Sequence, residues 1–327
     1  MVRHYGAACA CSIKAFALCA ALWPSVTGAG SRPVFCVLVP HFKDEYWLSV
    51  GCGLEKEAER QNVDLLFYEA GGYRALAQQI EQLFACAERG VDAILIGAVA
   101  SDHPDLTDAI TQVAPTVPVF GLVNELHAEV LGGRVGVDWQ DMGYAIGRHL
   151  TERHPEGSPP KTAVFLSGPR EAGWTGPLEA GLRMGLSGSA VAILEVFGAD
   201  TGLRQQLALV ETALQRHPEA DYLIGSAPAV EAAMGLLENS ADPDPPLLVS
   251  TYISHTILRG LMNGSVLAAA FDDPMQQGVL AIRQAAAGIP PVRNAPAIGP
   301  EIVLLTRAGR ELQQVRISPA DYFPALQ

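Results

Sequence analysis

Between residues 34 and 288 the chain alternates short apolar runs with longer amphipathic ones, and few architectures satisfy that rhythm. The runs at 34–39, 63–67, 91–96 and 119–122 are apolar almost throughout, as strands buried on both faces must be. Between them, 48–60, the stretch ending near Arg89 and the stretch after Pro104 have helical spacing. The second half repeats the pattern, with strands expected at 162–166, 190–196, 222–224 and 247–250 and helices at 139–150, 174–185, 204–216 and 227–239. Apolar strands alternating with amphipathic helices predict a parallel sheet covered on both faces. A chain of 327 residues exceeds one average domain, and the stretch from Pro33 onward fits two α/β units of similar size.

Charge narrows the partners. A formal net charge of −13 gives no clustered cations for nucleic acid and no attraction to anionic lipid. Residues 1–29 read as an export signal peptide: Arg3 and Lys14 are basic, 15–26 is apolar, and Thr27-Gly28-Ala29 is small enough for cleavage. That apolar run is shorter than the ~20 residues of a membrane span. A periplasmic protein that does not span the membrane is therefore expected. Lipid anchoring at Cys9, Cys11 or Cys19 lacks a convincing lipobox. Beyond the signal, Cys36, Cys52 and Cys86 form an odd set without metal-ligand spacing. Cys36 reads as a small core residue, pairing of Cys52 with Cys86 stays open, and a disulfide framework is not expected.

The order of elements resembles the type I periplasmic binding proteins, an α/β fold whose two doubly wound parallel-sheet lobes face each other across a cleft and are joined by a three-strand hinge. Carried onto this sequence, the resemblance implies crossings near 124–135, 250–253 and 272–276. It gives an N-terminal lobe of 33–124 plus 252–273 and a C-terminal lobe of 125–251 plus 274–327. The ligand would lie outside the carboxyl ends of the strands.

The loops at those ends are unusually aromatic. Beyond the signal there are three tryptophans, Trp47, Trp139 and Trp174, and each falls at an expected strand-to-helix loop. Tyr46, Tyr73 and Tyr252 occupy similar positions. A single aromatic is more often a packing element, but six at one end of the lobes are hard to place by chance. Sugar sites also use aromatic platforms, yet they need many polar side chains. The loops Gly97-Ala98-Val99-Ala100 and Ser226-Ala227-Pro228-Ala229 offer few. An aromatic cage with few donors suits a compact methylated amine held by cation–π attraction. A sugar-binding receptor of an ABC transporter is the alternative.

The segments Asp44-Glu45-Tyr46-Trp47-Leu48-Ser49, Glu69-Ala70-Gly71-Gly72-Tyr73, Gly136-Val137-Asp138-Trp139 and Thr251-Tyr252 resemble the trimethylamine N-oxide-binding members of the family. Those members work with the periplasmic domain of a membrane sensor histidine kinase in two-component signal transduction. The resemblance implies a cage of Tyr46, Trp47, Tyr73, Trp139 and Tyr252 with Asp44 as the nearby polar group. Trp174 either closes the cleft or covers the second lobe's edge. Asn124, at the first crossing, could hydrogen-bond ligand or fix the hinge backbone, and the second reading is favoured because Asn readily bonds local backbone. Of Asp272 and Asp273, one is expected to cap the following helix, and one could face the cleft. No metal-ligand spacing, phosphate loop or catalytic constellation stands out, so neither cofactor nor enzymatic activity is expected.

Overall fold

The computed structural model describes residues 1–2, 31–238, 243–288 and 296–327. The export signal expected at 1–29 lies outside these apart from its first two residues. Among the described residues, no helix is long and apolar enough to cross a membrane.

In chain order the elements begin β1 (Val34–Val39), α1 (Glu45–Gln61), β2 (Asp64–Glu69), α2 (Leu76–Glu88), β3 (Ala93–Ile96), α3 (Pro104–Val113), β4 (Val119–Leu122) and β5 (Gly133–Val135). They continue as α4 (Trp139–Arg153), β6 (Lys161–Ser167), α5 (Thr175–Gly185), β7 (Val191–Gly198), α6 (Leu203–Arg216), β8 (Tyr222–Gly225) and α7 (Ala227–Leu237). The last are β9 (Leu247–Ser250), α8 (His255–Asn263), β10 (Ala268–Phe271), α9 (Pro274–Ala286) and β11 (Val303–Thr306). One sheet has the order β2-β1-β3-β4-β5 and is wholly parallel. The other has the order β11-β10-β9-β8-β6-β7, parallel except for β11, which runs antiparallel to β10. Two doubly wound lobes result, and the purely parallel expectation is corrected at that one edge strand.

The strand period of two explains the layers. On β1, Phe35, Val37 and Val39 join the core beneath α1, whereas Cys36 and Leu38 face a second cluster with Leu83, Cys86, Ile94 and Ile96. This alternation sets Cys36 on β1 against Cys86 on α2, and the two form a disulfide with Cα atoms 6.2 Å apart. Cys52 is buried on α1 and free. The reading of Cys36 as a mere core residue is therefore corrected, as is the open pairing of Cys52 with Cys86. Spacing along the chain could not show that β1 runs beside α2.

The lobe boundaries also differ from expectation. β5 pairs with β4, so the first lobe continues to residue 135. β10 pairs with β9, which keeps 252–271 in the second lobe rather than the first. α9 then packs along α1, the backbones closing to contact through Gly53 and Gly278, and so 274–286 belongs to the first lobe. β11 returns to the second lobe. Hydrophobic periodicity fixes an element's buried face but not which sheet covers it, so these assignments needed the strand pairing.

Candidate functional site

Seven side chains singled out in the sequence converge between the lobes. Asp44, Tyr46, Trp47, Tyr73, Trp139, Trp174 and Tyr252 are each between 2% and 4% exposed. With Val123 and Asn124 they line one small cavity of about 10 Å³. That is room for about one water molecule, so the rings nearly close on one another and a ligand of a few heavy atoms would have to part them. A wider groove between α7, the start of β9 and α8 carries no aromatic side chain and lies away from this cluster.

Each member is set by a strand-to-helix junction. Asp44 is extended at the N-cap of α1, where Oδ1 accepts from the Tyr46 N–H at 3.1 Å. Tyr46 and Trp47 follow in the first turn and point into the cleft. The Trp47 ring rests on Gly97 just after β3, where any Cβ would run into the indole. Tyr73 ends the loop after β2 and precedes α2. On the opposite wall, Trp139 opens α4, Trp174 precedes α5 against Gly168, and Tyr252 follows β9. The rings meet edge-on or tilted: Tyr46 and Tyr252 have centroids 5.3 Å apart, Trp139 and Trp174 5.3 Å, and Trp174 and Tyr252 6.2 Å. Trp174 thus lies against Tyr73, Trp139 and Tyr252 and lines the same cavity.

The polar groups are buried with the rings. The Tyr252 hydroxyl donates to Asp44 Oδ2 at 2.6 Å, a bond that runs from second lobe to first. The Tyr46 hydroxyl donates to Asp272 Oδ2 at 2.7 Å and accepts from Gln277 Nε2 at 3.0 Å. Burial pushes the Asp44 carboxyl above the usual range, against hydrogen bonds from Tyr252 and the field of His41. Burial also pushes Asp272 up to about 6, opposed by its bonds from Tyr46 and Gln277. Tyr46 and Tyr252 are held protonated, first by burial and then by the carboxylates beside them. Asp273 caps α9, accepting from the Gln276 N–H at 3.0 Å. The two aspartates therefore divide the roles weighed for them, Asp273 as the cap and Asp272 as the buried acceptor.

Sequence reasoning missed Gln277 and Val123 and favoured a hinge role over a ligand bond for Asn124. Asn124 does brace the backbone, giving a hydrogen bond to the Ala98 carbonyl at 2.9 Å, but the same amide also reaches the Tyr73 hydroxyl at 3.2 Å. The apolar look of Gly97-Ala98-Val99-Ala100 hides this, because the loop works through its backbone: Gln79 bonds Gly97 O and Val99 N, and Asn124 bonds Ala98 O. A search for polar side chains does not see carbonyls.

Further bonds join the lobes around the cage. Asp200, just beyond β7, contacts His41 Nε2 at 3.1 Å and accepts from the Tyr73 N–H at 3.0 Å. Glu45 accepts from the Thr256 N–H at the start of α8 at 3.2 Å. Burial works against the Glu45 charge, yet bonds from His255 and Thr256 outweigh it and hold the carboxyl below its usual range. Among the described residues, no group of His, Cys, Asp and Glu is placed to hold a metal.

The arrangement can wrap a small methylated cation in aromatic faces beside a buried carboxylate, with hydroxyls at hand for one polar atom. Known proteins agree with the architecture. The periplasmic binding protein domain family matches residues 35–289. Periplasmic protein TorT of Escherichia coli K12 is 38% identical over 292 residues, spanning 88% of this chain and 83% of the relative. Crystal structures of the TorS sensor domain–TorT complex superpose well. The one without ligand has a TM-score of 0.78 at 36% identity, covering 90% of this chain and 100% of the other. The one with TMAO has a TM-score of 0.79 at 35% identity, with the same coverage. With both lobes, their order and the sequence matched over most of its length, this chain belongs to the periplasmic binding proteins and, within them, to the TorT family.

Proposed function

We propose that this chain is a periplasmic binding protein, not an enzyme, that detects trimethylamine N-oxide between its lobes and reports it to a TorS-like sensor histidine kinase. The single observation that carries the reading is the closed aromatic cluster around the buried Asp44. Trimethylamine N-oxide carries formal positive charge on nitrogen, shielded by three methyl groups. Aromatic faces attract a methylated cationic nitrogen by about 0.5–2 kcal/mol per favourable ring, most strongly when water is excluded, and the positive end of this dipole, neutral overall, is drawn to them in the same sense. The methyl groups would pack on Tyr46, Trp47, Tyr73, Trp139, Trp174 and Tyr252. Asp44 would supply a countercharge that does not bond the oxide oxygen, since an ionised carboxylate only accepts.

Signalling follows from the division of the site. Because the cage walls come from both lobes, a ligand inside it favours the closed arrangement over an open one and changes the outer surface offered to a kinase. Relatives of this chain have been crystallised with the TorS sensor domain with and without TMAO, which supports the same pairing here.

Calorimetry with trimethylamine N-oxide and a panel of pentoses and hexoses tests the ligand. Saturable binding of the amine oxide alone is expected; tight sugar binding without response to the amine oxide would return the chain to the transport receptors. Capture of a TorS sensor domain, expected to depend on the amine oxide, tests the partner.

A further inference from the structure

We propose that Asn124 is a positioning residue that keeps the Tyr73 hydroxyl proton free to bond an oxide oxygen, so that the cage selects an amine oxide over a methylated ammonium without oxygen. The inference rests on the amine-oxide reading above and concerns how the site tells that ligand from its analogues.

Three tyrosines, Tyr46, Tyr73 and Tyr252, line the cavity, and each hydroxyl has one proton. Tyr46 commits its proton to Asp272 Oδ2 at 2.7 Å, and Tyr252 commits its own to Asp44 Oδ2 at 2.6 Å. Carboxylates accept and do not donate, so neither hydroxyl has a proton left for a ligand oxygen. Tyr73 is different because its partner is a donor. The Asn124 amide lies 2.9 Å from the Ala98 carbonyl, which can only accept, and that identifies the contacting group as the NH₂. The same NH₂ is 3.2 Å from the Tyr73 oxygen. The Tyr73 oxygen therefore accepts, and its proton is the uncommitted one.

The backbone holds Asn124 in this role. Val123 sits at φ 64°, a left-handed conformation that β-branched residues avoid, and it is closed by a bond from the Asn124 N–H to the Leu122 carbonyl at 2.7 Å. The Val123 N–H is tied to the Val135 carbonyl at 2.6 Å, and its own carbonyl receives the Trp139 indole N–H at 3.4 Å. A turn this unfavourable persists only when its surroundings over-determine it, and here it aims the amide at Tyr73. With an amine oxide bound, Tyr73 would donate to the oxygen while Asp44 faces the nitrogen.

Tetramethylammonium is the probe that removes the oxygen: it matches the size and the methylated, positively charged nitrogen, carries a full net charge where the amine oxide is neutral overall, and has no acceptor. The Asn124→Asp substitution replaces the donor with an acceptor, so that Tyr73 turns its proton away from the ligand. Tyr73→Phe keeps the ring and removes the hydroxyl. Calorimetry should show that each variant loses at least about tenfold of the wild-type preference for trimethylamine N-oxide over tetramethylammonium. A residue that merely supports the fold would weaken both ligands together and leave the ratio unchanged. An unchanged ratio in Tyr73→Phe overturns the proposal, and this variant decides the matter if Asn124→Asp does not fold. Wild-type protein that binds neither ligand would instead overturn the amine-oxide reading itself.

Discussion

The two walls of the cage are built from the same kinds of ring but held by different means. The first-lobe wall carries its polar groups: Asp44 in an N-cap, Tyr46 bridged to Asp272 and Gln277 at the start of α9, and Tyr73 bound to Asn124. The second-lobe wall, Trp139, Trp174 and Tyr252, contributes no charge and reaches the first through ring contacts and the bond from Tyr252 to Asp44. The difference suggests a division of labour. One wall reads charge and hydrogen bonding and is rigid without the other; the second reads shape and completes the enclosure when the lobes meet.

Breaking the first wall should have the largest effect. Trp47→Ala removes a ring seated on Gly97 and leaves a core cavity, lowering stability by about 3–5 kcal/mol. Trimethylamine N-oxide affinity should fall by roughly 100-fold or more. Thermal unfolding alongside calorimetry checks both, and retained affinity would remove the loop before α1 from the site.

Next comes the pH dependence of Asp272, read on ligand-free protein. Its carboxyl is pushed up to about 6 in the folded state, against an ordinary value of 3.8. Between those values the native state holds more protons than the unfolded one, so this group's contribution to stability falls as pH rises from about 4 to about 6. Full burial puts the change at up to ~3 kcal/mol. Asp272→Asn should flatten the midpoint-versus-pH curve in that window, and an unaltered slope would show that the proton is bound elsewhere.

The substitution Asp44→Asn retains a good N-cap residue and a partner for Tyr252 while removing the countercharge. Affinity for the amine oxide should drop roughly 30-fold, about 2 kcal/mol. Stability should rise slightly, because burial already disfavours the ionised form. Unchanged affinity would assign recognition to the rings alone.

The smallest expected effect sharpens the comparison. Tyr252→Phe leaves the second wall's shape and cuts its bond to the first. A loss of about fivefold in affinity, near 1 kcal/mol, is expected in the dissociation rate rather than association. If Tyr252→Phe matched Asp44→Asn in size, the division between a polar wall and an apolar one would be wrong.

Much of this was legible in the residues. The alternation from β1 to α9 gave the layered α/β architecture, because a strand sealed on both faces and a helix with one apolar stripe must be apolar at different periods. The six aromatics stood out because strand-to-helix loops seldom carry large rings. The partner of Cys36, the membership of β5, β10 and α9, and the late antiparallel strand β11 were not legible. Each depends on which elements lie side by side, and one helix stripe packs as well on either sheet.

The site divides along the same line. Sequence alone determined which side chains can form a cage, since residue type and position at the ends of strands fix the chemistry available. Tertiary structure decided the direction of every proton in it. Tyr46, Tyr73 and Tyr252 are the same residue in similar loops, and only their neighbours make two of them bound donors and the third a free one: Asp272, Asp44 and Asn124 lie 226, 208 and 51 positions away respectively. Hydrogen-bond polarity is a property of pairs, and pairs separated this far along a chain exist only once it has folded.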